Sequence, residues 1–303
     1  STFTIDTDGK VLDLGTVNNV PMRIKTTLVD VNGEHFTEAT STVTLTDHVA
    51  YKNLDTDKTY TLTGTLYVKD GDALTEMMTE TVDFQPTETS GTQDVTFTFD
   101  ASELVGKSVV AFEELSVNGE FCAEHKDKDD ENQTVTFPGI QTTARDNVTE
   151  DHVSNATDSI TIVDTVAYTG LKKGDTYTVT GTLMDAETGE AALDDDGNAI
   201  TASKEFTALS ADENIDITFT FAGVSLAGKT LVAFEQIDHD GKKYAVHADI
   251  NDKGQTVYIP KIRTKALDAN TGLNQVKADS NVTVVDTVTY THLLPGKTYV
   301  MKG

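Results

Sequence analysis

Short runs in which apolar and polar side chains alternate dominate the chain. The segments TSTVTLTDHVAY, TYTLTGTLYV, VTFTF and TVTFP are rich in Thr, Val, Tyr and Phe, residues that suit a pleated, half-buried surface. Turn signals such as Gly71-Asp72, Asn118-Gly119 and Asp240-Gly241 separate the runs, so each reads as a strand. Helix-like pieces are confined to Ala101–Val105 and Gly223–Ala227, each followed by Gly-Lys. The pattern predicts an all-β fold of tandem immunoglobulin-like Greek-key β-sandwich modules, each of about 120 residues.

The pattern also repeats at long range. Thr26, Asp47, Glu113, His125 and Gln133 recur as Thr142, Asp164, Glu235, His247 and Gln255. The offset is 116 for the Thr pair, 117 for the Asp pair and 122 for the other three. Self-similarity at a fixed period marks tandem modules. One module is expected over residues 22–138 and a second over residues 139–260; residues 261–303 open a third with Thr264 and Asp286. That third stretch is too short to bury a core of its own and reads as truncated. Residues 1–21 match none of the repeats and read as a lead-in or the end of a preceding module.

Side chains alternate across a strand, so residues two apart share a face. Asp47 is in phase with Val43, Leu45, Val49 and Tyr51; Asp164 with Ile160, Ile162, Val166 and Tyr168; Asp286 with Val282, Val284, Val288 and Tyr290. Three copies therefore set a carboxyl on an apolar face. Thr26 lies likewise between Ile24 and Leu28, and Thr142 between Ile140 and Ala144. Gln133 is in phase with Val135 and Phe137, and Gln255 with Val257 and Ile259. Parity does not decide for Glu113 and Glu235, whose strands VVAFEEL and LVAFEQI are apolar on both faces.

Inward-facing polar groups must satisfy one another, because burying them unpaired is costly. On the residues alone, two readings stay open. The set is either a structural hydrogen-bond network or a reactive site. A Thr hydroxyl becomes a nucleophile once a base such as His takes its proton. A carboxyl kept neutral by desolvation and a like-charged neighbour can donate to a developing oxyanion. Attack on the Gln side-chain carbonyl with loss of ammonia would give a Thr–Gln ester within one module.

Charge narrows the partners. Fifty acidic against 23 basic residues give a net charge of −27, which repels nucleic acid and anionic membranes. Neither nucleic-acid binding nor membrane insertion of this segment is expected. Cys122 is the one cysteine, and Tyr244 stands in its place in the second repeat, so the chain can form no internal disulfide. The acidic clusters Asp127, Asp129, Asp130 with Glu131, and Asp194, Asp195 with Asp196, lack the twelve-position calcium-loop pattern. They read as solvated loops, and no metal or cofactor is expected. His35, His152, His239 and His292 have no counterpart across repeats and read as solvated; His48, aligned with Thr165, is a rival base in the first module only.

VAFE at Val110–Glu113 and again at Val232–Glu235, DTVAY from Asp164, NQTV from Asn132 and GQTV from Gly254 together resemble the VaFE-repeat domains of Gram-positive surface adhesins. The resemblance covers essentially all of residues 22–303. It implies immunoglobulin-like stalk modules that form intramolecular Thr–Gln ester bonds autocatalytically. Thr26 and Thr142 would then be nucleophiles, and Gln133 and Gln255 acyl donors. His125 and His247, eight residues before their Gln, would serve as base and proton shuttle. Asp47 with Glu113, and Asp164 with Glu235, would be the acidic pairs that polarise the amide.

The third copy has Thr264 and Asp286 but not the stretch with Glu, His and Gln, so it could not close its own bond. The function implied is a structural stalk segment of an extracellular, cell-surface adhesin, self-crosslinked in one turnover and acting on no diffusible substrate. Its partners would be neighbouring modules of the same chain, with any host ligand bound by another domain. The alternative is a ligand-binding tandem β-sandwich whose buried polar network is non-reactive.

Overall fold

In the computed structural model, which describes residues 20–303, the alternating runs form antiparallel strands and no α-helix occurs among the described residues. The expected lead-in over residues 1–21 lies, up to residue 19, outside the described residues. The first module comprises β1 (Arg23–Lys25), β2 (Leu28–Asp30), β3 (Val43–Lys52), β4 (Tyr60–Asp70), β5 (Ala73–Phe84), β6 (Ser90–Phe99), β7 (Lys107–Val117), β8 (Glu120–His125) and β9 (Thr134–Phe137). β1 and β2 lie end to end along β3, and β6 takes the other edge of β3. The second sheet runs β5-β4-β7-β8, with β9 also on β7.

The next module repeats this plan with β10 (Gly139–Asp146), β11 (Ile160–Thr169), β12 (Thr176–Asp185), β13 (Thr201–Thr207), β14 (Glu213–Phe221), β15 (Thr230–His239), β16 (Lys242–His247) and β17 (Thr256–Tyr258). One sheet is β10-β11-β14; the other is β13-β12-β15-β16 with β17 on β15. Finally β18 (Lys261–Asp268) pairs with β19 (Val284–Thr291). In register, Thr264 faces Val288 and Ala266 faces Asp286, as Thr142 faces Val166 and Ala144 faces Asp164.

Period-two burial follows from the pleat. Along β11 every second residue from Ile160 to Tyr168 is buried, and β3 does the same from Val43 to Tyr51. Leu45, Leu62, Leu66, Phe97 and Leu115 fill the first interior; Ile162, Val166, Val179, Leu183, Phe219 and Ile237 fill the second. On β18 and β19, by contrast, Ile262, Val284 and Tyr290 are exposed.

Neither helix-like piece is an α-helix. Ala101–Val105 contains only a single 3-10 turn at Ser102–Leu104, and residues 223–227 form turns. There the Asp195 carboxylate accepts the backbone N–H groups of Val224 and Ser225 at 3.0 and 2.8 Å. These bonds satisfy the N–H groups at the start of the turn.

A glycine sits where a strand must leave room. Gly181 of β12 is the cross-strand partner of Glu235, and a methyl there would come within 2.6 Å of both Ile217 and Phe219. Gly64 of β4 does the same in the first module: a methyl would overlap the Glu113 carboxyl and approach Phe97 to 2.8 Å. Overpacking of this kind displaces side chains that have nowhere to go. Gly181→Ala should therefore destabilise the second module by about 1–3 kcal/mol, read from its denaturant midpoint. An unchanged midpoint would show the space to be elastic.

Candidate functional site

Strand pairing assembles the two clusters. In the first module Thr26 occupies the gap between β1 and β2, next to β3, which carries Asp47. Glu113 lies on β7, opposite His125 at the end of β8, and Gln133 immediately precedes β9, which also joins β7. The second module sets Thr142 on β10, Asp164 on β11, Glu235 on β15 opposite His247 of β16, and Gln255 just before β17. Thr26, Asp47, Glu113, Gln133, Asp164 and Gln255 have no exposed surface, and Thr142 and Glu235 almost none. Glu113 and Glu235, which parity left undecided, face inward.

Thr26 and Gln133 are in direct contact. Gln133 Nε2 donates to Thr26 Oγ1 at 2.7 Å and to the Ala111 carbonyl at 2.8 Å. His125 Nδ1 lies 3.4 Å from Thr26 Oγ1 and accepts from the Thr26 backbone N–H at 3.3 Å. In the second cluster Gln255 Nε2 donates to Thr142 Oγ1 and to Glu235 Oε2. Thr142 Oγ1 itself donates to Glu235 Oε2 at 3.0 Å. His247 Nδ1 faces the Ile140 carbonyl at 3.3 Å rather than the Thr142 hydroxyl. In both clusters the Gln carbonyl oxygen is buried with no donor, leaving an open position for one.

Burial sets the charge of the acidic pairs. Desolvation, then the negative charge and hydrogen bond of Asp47, push the Glu113 carboxyl up to about 10. Asp47 is raised to about 6 by the same burial, opposed by bonds from Glu113, Thr27 and Thr26. Desolvation and Asp164 push Glu235 to about 10, and desolvation raises Asp164 against its bond with Glu235. Two carboxyls confined together cannot both ionise cheaply. Burial and the neighbouring Asp thus favour a proton on the Glu of each pair at neutral pH.

Two further acids complete the clusters. Asp130 Oδ2 lies 3.5 Å from His125 Nε2, and Asp252 Oδ2 lies 2.9 Å from His247 Nε2. Both stand five residues after their histidine. Asp130 thus departs from its reading as one of a solvated acidic run: its side chain is only 17% exposed and faces the imidazole. Its counterpart at the same 122-residue offset was the signal available in the sequence. Gly64 and Gly181 likewise recur inside Thr-Gly-Thr.

Other residues lie elsewhere. His48 is on the outer face, 2.7 Å from Asp94. His152 and His239, read as solvated, are partly buried: His152 Nδ1 meets the Thr256 carbonyl at 2.9 Å, and His239 packs on Tyr177 and Tyr244. His35 Nδ1 is also buried. Thr264 and Asp286 are exposed. Among the described residues no group of three or more His, Cys, Asp or Glu is arranged to hold a metal ion, and no helix is long and apolar enough to cross a membrane.

A family model for the T-Q ester bond containing domain matches residues 22–137, 138–259 and 260–303. The chain belongs to this family. No curated protein matches it. Solved structures similar to it include a Mobiluncus mulieris adhesin described as containing intramolecular disulfide, isopeptide and ester bond cross-links. In one crystal form that adhesin is 14% identical with a TM-score of 0.39, over 89% of this chain and 92% of that one. In the other it is 15% identical with a TM-score of 0.37, over 90% and 98%. The Streptococcus agalactiae AgI/II polypeptide BspA C terminal domain is 9% identical with a TM-score of 0.33, over 74% and 97%.

The raised Glu values carry a pH signature. A group that binds its proton more tightly when folded contributes stability that is complete below its unfolded value and lost as pH rises through its folded value. For Glu113 and Glu235 that window runs from 4.5 to about 10. In a Thr26→Ala, Thr142→Ala chain, the Tm should fall as pH rises from about 5 to about 9. Adding Glu113→Gln and Glu235→Gln should flatten that slope; a slope retained in full would reject the protonated pair.

Proposed function

We propose that this chain is a stalk segment of a bacterial cell-surface adhesin, in which each of the two complete modules closes an autocatalytic Thr–Gln ester bond. The observation that carries this reading is the contact of each Thr hydroxyl with the amide of its Gln inside a buried site. Family membership supports the bond chemistry.

The reaction uses what each site holds. His125, steadied through Nε2 by Asp130, takes the Thr26 proton as Oγ1 attacks Cδ of Gln133. Negative charge then grows on Oε1. Rotation about the Gln Cγ–Cδ bond exchanges the two ends of an amide. Turned over, the Gln255 oxygen occupies the place beside Glu235 Oε2 and receives the carboxyl proton. The imidazolium returns its proton to the amide nitrogen; as the C–N bond breaks and ammonia leaves, the C=O re-forms, the oxygen gives its proton back to the Glu carboxylate, and an ester replaces the amide. A proton donor fixed in a desolvated site stabilises such an oxyanion far better than it would in water. The histidines are the solvent-reaching members, with side chains 21% and 19% exposed. They sit where ammonia can depart while the ester stays dry.

The location of the bond supplies its use. It joins the first strand to the last and spans 113 residues in the second module, worth about 4–5 kcal/mol by chain entropy alone. Tension between the module's ends would pass through the covalent link and bypass the sheets. The chain acts on itself once and is not a turnover enzyme.

Intact mass under denaturing conditions tests the proposal. The chain should be lighter than its sequence by two ammonias, and a Thr142→Ala chain by one, with protease resistance lost only in the second module. A mass equal to that of the sequence would leave a non-reactive buried network. His247→Ala should slow closure of the second bond about 10²-fold or more, followed by the rate at which the mass falls.

A further inference from the structure

The last strand of the second module is held along both edges. β17 lies on β15 at one edge, and residues 152–154, in the loop that follows β10, join the other through a parallel bridge between Val153 and Tyr258. The Tyr258 N–H donates to the His152 carbonyl at 2.7 Å, and the Ser154 N–H donates to the Tyr258 carbonyl at 2.9 Å. These residues form a strap over an edge that would otherwise present open backbone groups. The strap is anchored to the strand that carries Thr142. Ser154 Oγ donates to Asp146 Oδ2 at 2.6 Å, both residues being buried, and Asp146 ends β10.

A side chain of the strap reaches the acyl donor's own backbone. His152 Nδ1 lies 2.9 Å from the carbonyl of Thr256, the residue after Gln255; a carbonyl only accepts, so this nitrogen carries a proton and donates. Three successive carbonyls are thus held by three different elements. Gly254 O accepts from the Ala144 N–H of β10 at 3.0 Å, Gln255 O from the Ala233 N–H of β15 at 3.1 Å, and Thr256 O from the strap. The backbone that carries Gln255 is fixed toward β10, β15 and the strap, while its side chain meets Thr142 Oγ1. Attack on the amide carbon is fast only when the reacting atoms are held in near-attack geometry, and a misplacement of about 1 Å costs about 10²-fold.

The first module repeats the strap without this grip. Phe36 bridges Thr136 in parallel, as Val153 bridges Tyr258, and the Thr37 N–H donates to the Thr136 carbonyl at 3.1 Å. His35 and His152 stand 117 residues apart, the offset of the Asp pair. The two histidines are therefore counterparts, contrary to their reading from sequence. His35 Nδ1, however, is buried without a hydrogen-bond partner, so the first site supplies an internal reference for the second.

We propose, resting on the Thr–Gln ester reading, that His152 is a positioning residue for closure of the second bond: by holding the Thr256 carbonyl it aims the Gln255 amide at Thr142. The full chain, isolated unfolded in denaturant before closure and then folded by dilution, provides the test. Ammonia loss is followed by mass and assigned to each module by peptide mapping, and folding is followed by far-UV circular dichroism. His152→Phe keeps a ring of similar size and removes the donor; His152→Asn removes the ring and keeps an N–H near the place of Nδ1. Closure of the second bond should slow about fivefold or more in the Phe variant and stay within about twofold of the unaltered rate in the Asn variant. The first bond should close at one rate in all three chains. An unchanged second rate in the Phe variant, an Asn variant as slow as the Phe one, or closure that merely tracks slowed folding would overturn the proposal. No ammonia loss from the unaltered chain would overturn the ester reading, and this role of His152 with it.

Discussion

The burial of two carboxyls side by side is the constraint around which each complete module is organised. Asp47 and Glu113 belong to different sheets, as do Asp164 and Glu235. The pair therefore faces itself across the interior, one carboxyl from each sheet. Ionised together, the two groups would have to be driven apart or hydrated, and the interior could not close. A glycine lies beside each pair: Gly64 leaves the space that the Glu113 carboxyl and Phe97 occupy, and Gly181 the space of Ile217 and Phe219. Thr and Gln then complete the crossing, one from the first strand and one from beside the last. In antibody domains a disulfide links the two sheets of the sandwich; with one cysteine in the chain, a carboxyl pair and a hydroxyl–amide contact stand at that crossing.

The two clusters share their attachments and differ in detail. In the first, Thr26 faces both Gln133 and His125; in the second, Thr142 bonds to Glu235 while His247 turns to Asp252 and the Ile140 carbonyl. The same set of side chains does not impose identical hydrogen bonds, because a hydroxyl and an imidazole can each rotate among several partners at little cost. What is fixed is the strand that carries each group.

A second repeated element lies just past the first strand. Asp30 accepts the N–H groups of Asn32 and Glu34, both at 2.8 Å. Asp146 accepts those of Val148 and Thr149 at 3.0 and 2.8 Å, and Asp268 those of Asn270 and Thr271 at 3.1 and 2.8 Å. These side chains mimic a backbone turn and start the excursion that ends at the second long strand. This turn forms in residues 261–303 as well, since it depends only on local contacts. The clasp does not, since its members come from distant strands.

That contrast marks how far the sequence could speak. Strand identity, the inward direction of Thr26, Asp47, Gln133 and their counterparts, and the division into repeats were legible, because alternation and period are properties of the chain taken in order. The repeated polar set was legible for the same reason: it recurs. Parity could not orient Glu113 or Glu235 in strands apolar on both sides. Composition hid Asp130 within a run of acids, and hydrophilicity misjudged His152 and His239. Each of those depends on which strand, ring or carbonyl lies across the gap. Sequence by itself determined the modules, the pairing of Thr with Gln and the carboxyl on the apolar face. Only the tertiary structure decided which acid holds the proton, which aspartate steadies the histidine, and which imidazole meets the last strand. Protonation and orientation are set by neighbours distant along the chain, and sequence order carries no distances between them.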